Sequence, residues 1–364
     1  MNHGVVLIEW TSGISRCCST AVPLQCLVED VEVLAKRSFP QSLRLGRGVC
    51  NPRQLACRAG AWIYSSLWML VIVNPRSGRG AGSRSLLPLR RELHERDIEA
   101  RIALTTGPGH ATELARAAVE SRERCVVAVG GDGTVSEIAN SLVESPVALG
   151  VVAVGTGNDL ARSLNLPLND VRRSLDVIQE GGTRQIDLGR AGDRYFVSLF
   201  GLGFPAIVAA YANRMRLLTG TSAFLLSVLR RILQMQAVPL KLKIDGRIVE
   251  GKYTSVLIQN TPFTGGGLKI APTARVDDGQ LDVVIVGDIG KLDLLWNLPR
   301  VYRGRHLGHR HFKTYRCNSV QIQSEKVLAQ TLDGDPFDLN AVKVEVHPGA
   351  LRMIVRPPGA RKHD

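Results

Sequence analysis

The sequence predicts an α/β plus β protein: a Rossmann-like α/β domain followed by a domain built mostly from strands. Three observations carry that reading. Short β-branched runs at 70–73, 125–129 and 148–154 alternate with stretches whose apolar residues recur at helical spacing, the pattern of a parallel sheet covered on both faces. Each run ends in a glycine-bearing segment: Asn74-Pro-Arg-Ser-Gly78, Gly130-Gly-Asp-Gly-Thr134 and Gly155-Thr-Gly-Asn-Asp159. After Arg184 the alternation stops and strand-like segments follow one another with turns between them, as in a sandwich or barrel. A chain of 364 residues with 45% hydrophobic content is long enough for two such domains.

Residues 1–68 stand apart. They hold five of the seven cysteines (Cys17, Cys18, Cys26, Cys50, Cys57) and three of the four tryptophans (Trp10, Trp62, Trp68), with no glycine loop and no sustained apolar period. Only Val28–Ala35 reads as a short helix, and no charged start leads into an apolar run as a secretory signal requires. We expect an upstream extension of the reading frame with Met69 as the natural start; a disordered or regulatory arm is the alternative. Abundant peptides from residues 1–60 in the native protein would refute the first. The expected organisation is this extension, an α/β domain over 69–184, a β-rich domain over 185–350, and a C-terminal strand and basic tail over 351–364.

From Met69 the elements follow in order. Leu70–Val73 is a first strand and 86–95 a helix; 98–104 is a second strand, 109–121 a helix, 125–129 a third strand, 134–142 a helix and 148–154 a fourth strand. In such sheets ligands bind beyond the carboxyl ends of strands, where all three glycine segments fall. Glycines there permit backbone conformations and close approaches that a Cβ forbids, so successive N–H groups can surround an anion, aided by the positive end of the following helix. An acid among such amides, Asp132, makes sense when a divalent cation lies between it and phosphate. A plain Gly-Asp-Gly turn is the simpler alternative for this loop taken alone.

In the second half we expect strands at 186–189, 195–199, 240–244, 253–259, 281–286, 319–324, 331–333, 342–347 and 353–356, and helices only at 207–215, 222–235 and 292–302. No apolar run approaches the roughly 20 residues of a membrane span. The 222–235 stretch comes nearest, interrupted by Arg230 and Arg231; it suits either a helix packed on the second domain or an interfacial helix against anionic lipid. The formal charge of +13 points to anionic partners. With aromatics at 5% and no basic stretch interleaved with them, nucleic acid is not expected among them. The two cysteines outside the first segment, Cys125 and Cys317, fit a reducing compartment and no disulfide framework.

Taken together the segments resemble the diacylglycerol kinase catalytic family, which includes sphingosine and ceramide kinases and soluble bacterial lipid kinases. The likeness spans about Leu70 to Val355. Besides the three glycine segments it rests on Asp187-Leu-Gly189, Gly265-Gly-Gly267, Ala271-Pro272, Asp277-Asp-Gly-Gln-Leu-Asp282, Gly304-Arg-His306 and Leu332-Asp-Gly-Asp335, in the family's order. The resemblance implies a nucleotide-binding α/β domain, a β-sandwich-like lipid-binding domain with the site in the cleft between, and ATP- and Mg²⁺-dependent phosphorylation of a lipid hydroxyl, most simply diacylglycerol to phosphatidic acid. It further implies a cytoplasmic protein in transient contact with an anionic membrane surface, and allows a homodimer.

By the same resemblance, Gly130, Gly131, Gly133 and Thr134 hold phosphates, Asp132 acts through Mg²⁺, and Glu137 completes the signature. Asn74, Ser77 and Gly78 form one wall of the nucleotide pocket and Thr156, Asn158 and Asp159 the other; Asn158 or Asp159 could instead cap the helix beginning at Leu160. Asp333 is the implied general base, orienting the hydroxyl and accepting its proton late. Asp333-Gly334 also reads as a type I′ hairpin turn, and Asp335 stands where the family usually has Glu. A structural Mg²⁺ is implied at Asp278, with the carbonyls of Arg275 and Gln280 and, through water, Asp187; an Asp-Asp-Gly turn is the simpler reading. His306, His309 and His311 read as a solvated basic loop in preference to a zinc site. The Thr261-Pro-Phe-Thr264 segment departs from the family, which often has an Asn-Gly-like pair there. Two rival readings are an NAD kinase, which shares the Gly-Gly-Asp-Gly loop, and a non-catalytic lipid-binding protein of the same fold.

Overall fold

The computed structural model describes residues 7–8, 69–214, 220–324, 328–337 and 342–357. Expectations for the Val28–Ala35 helix, the reading-frame start and the basic tail after 357 lie outside them. From Met69 onward the described residues belong to one compact unit. Strands β1 (Met69–Val73), β2 (Arg101–Leu104), β3 (Cys125–Gly130) and β4 (Ala148–Ala153) form a parallel sheet in the order β2-β1-β3-β4. Their period-2 side chains feed two cores. Leu70, Ile72, Val126, Ala128, Leu149 and Val151 pack on Ala111 and Ala115 of α2 (His110–Glu120) and on Val135, Ile138 and Leu142 of α3 (Asp132–Leu142). Val71, Val73, Val127, Val129 and Val152 pack on Leu89 and Leu93 of α1 (Ser77–Glu95) and on Leu175 and Ile178 of α5 (Val171–Glu180). Burial on both faces is why these strands read as unbroken apolar runs. Trimming Ile72, which is fully buried, to alanine costs about 2–5 kcal/mol.

Three details differ from the sequence reading here, the first being that β2 begins at Arg101 and not at residue 98. The first helix starts earlier than expected, through a left-handed turn at Gly78, Arg79 and Gly80 (φ 54°, 55° and 81°). Helix α5 was not foreseen, although its ends carry ordinary signals: the Asp170 side chain accepts from the Arg173 amide, and Gly181 closes it at φ 68°.

The second half is antiparallel apart from one join. The long strand β15 (Val342–Ile354) pairs parallel to β4 at Met353–Leu149 and antiparallel to β5 (Thr183–Ala191) and β12 (Ser319–Gln323). The two strands expected at 342–347 and 353–356 are thus one, with a register break between His347 and Leu351. The expected 195–199 strand is two, β6 (Arg194–Phe196) and β7 (Leu199–Gly203), separated because the Val197 and Ser198 amides turn away to a carboxylate. β9 (Arg247–Gln259) is flanked by β7, β8 (Val238–Ile244) and β10 (Leu281–Gly287), and β10 pairs with the unforeseen strand β11 (Phe312–Cys317). β13 (Gln330–Leu332) lies beside β7 and turns tightly into β14 (Asp335–Phe337). Helices α6 (Phe204–Arg214), α7 (Gly220–Arg231) and α8 (Lys291–Tyr302) contribute Phe204, Val208, Val228 and Val301 to a core that includes Leu257, Val284 and Val286 of β9 and β10.

Candidate active site

The three glycine segments meet at the carboxyl end of the parallel sheet. Asn74, just past β1, donates from Nδ2 to Thr134 Oγ1 at 3.0 Å, and its amide donates to Val129 O at 3.0 Å. Gly78 passes so close to β4 that a Cβ would lie 2.2 Å from Val154 O. Gly131 and Gly155 meet back to back: a Cβ on Gly155 would come within 2.2 Å of Gly131 Cα, and one on Gly131 within 3.4 Å of Ser77 Oγ. A Cβ on Gly130 would strike the Thr134 side chain at 2.7 Å. Gly133, by contrast, has no protein atom within 4 Å of its Cβ position, so its open side is available to a ligand.

Asp132, at the start of α3, binds the next loop. Its Oδ1 accepts the Asp159 amide at 2.7 Å and the Leu160 amide at 3.4 Å, the N-terminal donors of the short helix α4 (Asp159–Ser163). This corrects the capping alternative: Asn158 sits at the cap position with φ 55° but makes no side-chain cap bond, and Asp159 points elsewhere. Asn158 Nδ2 donates to Gly155 O at 3.0 Å, while its Oδ1 is buried with no partner. The Asp159 carboxylate accepts the Gly266 amide at 3.0 Å and the Gly267 amide at 2.8 Å. Gly265, Gly266 and Gly267 all have positive φ (62°, 85° and 106°), a conformation that glycine adopts without strain and that aims successive amides at one acid.

Asp333 reaches the same place from the β13–β14 hairpin. It and Gly334 both have positive φ (48° and 96°) in a two-residue turn, as a type I′ hairpin requires. The turn and the site are one feature. Asp333 Oδ1 accepts the Ser198 and Leu199 amides at 2.8 and 2.9 Å; Oδ2 accepts the Val197 amide and the Ser136 hydroxyl, each at 2.8 Å. Burial pushes this carboxyl above its ordinary range, against the pull of those four bonds.

Asp132, Thr156, Gly157, Asp159, Asp333 and Gly334 line one end of a cavity of about 390 Å³. The rest of its wall is mostly apolar, from Phe204, Val208, Val228, Leu257, Val284 and Leu298 among others, with Thr254, Ser255, Thr264 and His306 between them. Burial first, and then the Asp159 charge, raise Asp132 to about 7; Asp159 is raised too, by burial. Three carboxylates facing each other beside an apolar wall repel unless protonated or neutralised by a cation. That donor chemistry suits a divalent metal carrying phosphate, although among the described residues no three His, Cys, Asp or Glu side chains form a ready-made cation site.

Several expected residues lie away from this cavity. Glu137 follows on α3, its carbonyl accepting from Thr112 Oγ1 at 3.2 Å, and it does not line the wall. Asp335 is exposed, so the family's second acid has no counterpart in the cavity. The Asp187 oxygens accept the Gly279 amide at 2.7 Å and the Gly349 amide at 2.8 Å. Asp278 accepts the Gln280 amide at 3.2 Å and pairs with the Arg316 guanidinium, while Arg275 pairs with Asp277 at 3.6 Å. A metal at Asp278 competes with a guanidinium that already neutralises the acid. His306 corrects the solvated-loop reading: it is fully buried, bonded through Nε2 to Ile270 O at 3.0 Å and stacked edge-on against Phe312, and it lines the apolar wall. Burial lowers it to about 4, so it is neutral.

Ser136, which braces Asp333, and the Gly266 and Gly267 amides were not foreseen as site groups. Ser136 lies one helical turn after Asp132, on the same face of α3, a spacing visible in sequence but without meaning until Asp333 is placed beside it.

Comparison with known proteins covers nearly all of this structure. Residues 68–191 match the diacylglycerol kinase catalytic domain, and residues 198–355 match the YegS C-terminal NAD kinase beta sandwich-like domain. The chain is 30% identical over 295 residues to a diacylglycerol kinase of Mycobacterium tuberculosis H37Rv, covering 78% of this chain and 93% of that one. It is 27% identical over 268 residues to a diacylglycerol kinase of Bacillus subtilis 168, covering 73% and 88% respectively. Its fold matches the crystal structure of a diacylglycerol kinase from Bacillus anthracis Sterne with a TM-score of 0.62 at 21% identity, covering 81% of this chain and 98% of that one.

Proposed function

We infer the reaction from one premise: the chain belongs to the diacylglycerol kinase family. It is a lipid kinase, a transferase that moves phosphate to a lipid hydroxyl. We propose ATP as the donor, Mg²⁺ as its companion ion, and diacylglycerol as the acceptor, giving phosphatidic acid. One observation carries the proposal: Asp132 and Asp333 share a cavity whose remaining wall is mostly apolar. A polar end for a charged phosphate and a greasy end for an acyl chain are what an enzyme joining the two needs.

In this reading the Gly130–Thr134 amides and the start of α3 cradle the phosphates, and Asn74 fixes Thr134 for that task. Asp132 would hold Mg²⁺, which would supply neutralisation of the donor's charge and of the repulsion among the acids. Asp333, with both oxygens fixed by neighbouring amides and Ser136, orients the acceptor hydroxyl and takes its proton as the new P–O bond forms and the donor's bond from the γ-phosphorus to the bridging oxygen breaks, releasing ADP. The apolar wall excludes water, which would otherwise accept the phosphate. No helix among the described residues is long and apolar enough to cross a membrane; we propose a cytoplasmic protein that visits an anionic bilayer to collect its substrate.

Thin-layer separation of products from labelled ATP, with diacylglycerol, monoacylglycerol, sphingosine, ceramide, phosphatidylglycerol and NAD offered in turn, tests this. Labelled phosphatidic acid as the main product supports it. Label on NAD alone, or on nothing, overturns it.

A further inference from the structure

The helices that wall the lipid end of the cavity carry a second set of apolar residues on their outer sides. On α8, Leu294, Leu298 and Val301 face the cavity, whereas Leu292 and Trp296, at i and i+4, share another face and are 82% and 77% exposed. On α7, Val228 faces the cavity while Leu225 and Leu229, again at i and i+4, are exposed; Leu233 just beyond is 76% exposed. Lys291 Nζ donates to Leu233 O at 3.2 Å, which puts the start of α8 against the end of α7 and joins the two sets. Single exposed leucines are ordinary, but five large apolar side chains on adjoining elements make a patch.

Basic side chains rim it. Arg230, Arg300 and Arg303 are exposed, as is Lys291, and Arg231 lies over the Tyr211 ring at 4.2 Å. Of the nearby acids, Asp293 is half-buried and already accepts from Asn297 Nδ2 at 2.9 Å, leaving Asp288 as the exposed one. An apolar centre with a tryptophan and a positive rim complements the surface of a bilayer containing anionic lipid.

We propose that the outer face of α7 and α8 docks the protein on an anionic bilayer, with Leu292, Trp296 and Leu233 entering the headgroup region. Docking there sets the lipid end of the cavity against the membrane, so substrate passes between the two helices without crossing water. The inference rests on the lipid kinase reading for its purpose, but its test does not require turnover.

The full chain is sedimented with vesicles of phosphatidylcholine alone and of phosphatidylcholine with about a third phosphatidylglycerol, without nucleotide. Wild type binds the mixed vesicles, more weakly as salt rises, and L292D/W296D binds them at least about tenfold more weakly. Leu87→Asp, an equally exposed leucine on α1, binds as wild type does. Thermal melting confirms that all three proteins fold. Equal binding by wild type and L292D/W296D, or equal loss in Leu87→Asp, overturns the proposal. So does a dimer that L292D/W296D converts to monomer with vesicle binding intact, which assigns the patch to a second copy of the chain. If no lipid is phosphorylated but the binding pattern holds, the reaction assignment fails and the docking surface stands.

Discussion

Asp132 caps the helix that carries Asp159: its Oδ1 accepts the Asp159 amide at 2.7 Å, and Asp159 in turn holds the Gly266 and Gly267 amides. The acid of the second glycine segment thereby fixes the third segment, and the acid of the third fixes a loop of the strand-rich half. The cost is that two carboxylates lie close together away from water, with Asp333 near enough to add its charge.

That cost is visible in pH dependence. A carboxyl raised from 3.8 to about 7 on folding holds its proton more firmly in the native state. Its contribution to stability is complete below about pH 4 and lost as pH rises through about 7. Asp159 and Asp333 are raised as well and act in the same direction. The melting temperature of ligand-free protein therefore falls across this window, and Asp132→Asn, which keeps the capping oxygen but not the charge, flattens the slope. Melting curves of both proteins across the window check it; an unchanged slope contradicts it.

Much of this arrangement was legible in the sequence. β1, β3 and β4 announced themselves because burial on both faces makes their runs wholly apolar, and the glycine segments follow from the strand ends. Strand β11 was missed because Phe312, Lys313, Thr314, Tyr315, Arg316 and Cys317 bury only the two ends firmly and give no apolar run. The histidines misled for a similar reason: arginines surround His306 in sequence, yet its ring turns inward under Phe312. The four bonds to Asp333 come from residues about 135 and 197 positions away, a convergence that no local pattern encodes.

Asp333→Asn separates charge from shape. An amide can accept the Ser198 and Leu199 bonds on its oxygen, but its NH₂ then confronts the Val197 N–H. We expect kcat to fall at least about 10²-fold and stability to fall by about 1–3 kcal/mol. Ser136→Ala removes one of the four bonds and costs less on both scales. Initial rates and urea titrations measure the pair.

Two glycine substitutions distinguish packing from ligand contact. Gly155→Ala forces a Cβ to 2.2 Å from Gly131 Cα and destabilises the fold by about 1–3 kcal/mol, whether or not nucleotide is present. Gly133→Ala meets no protein atom, so the fold is retained; if phosphates lie there, the KM for ATP rises while the melting temperature holds. A normal KM in Gly133→Ala removes the phosphates from that side of the loop.

The turn at Asp278 predicts how divalent ions act away from catalysis. Because Arg316 already neutralises Asp278, this turn adds little to any Mg²⁺ effect on the wild-type melting temperature. In Arg316→Ala the acid is released, and Mg²⁺ without nucleotide then stabilises the variant by more than it does wild type. Calorimetric scans with Mg²⁺ and with chelator compare the two.

An acyl chain placed along the apolar wall, as proposed, makes that wall the gauge of its length. Val228 is buried and faces the cavity from α7, so Val228→Phe fills part of that space. Turnover of long-chain diacylglycerol drops about tenfold or more, with a smaller loss for short chains. Equal losses for both contradict this placement of the chain.

The central claim is that the Asp132 end and Asp333 face one transferring phosphate. A crystal structure with Mg²⁺ and a non-hydrolysable ATP analogue tests it most directly. The account predicts the terminal phosphate against the Gly130–Thr134 amides, metal on the Asp132 carboxylate, and open space for an alcohol between that phosphate and Asp333. A nucleotide bound elsewhere, or one whose terminal phosphate points away from Asp333, contradicts it.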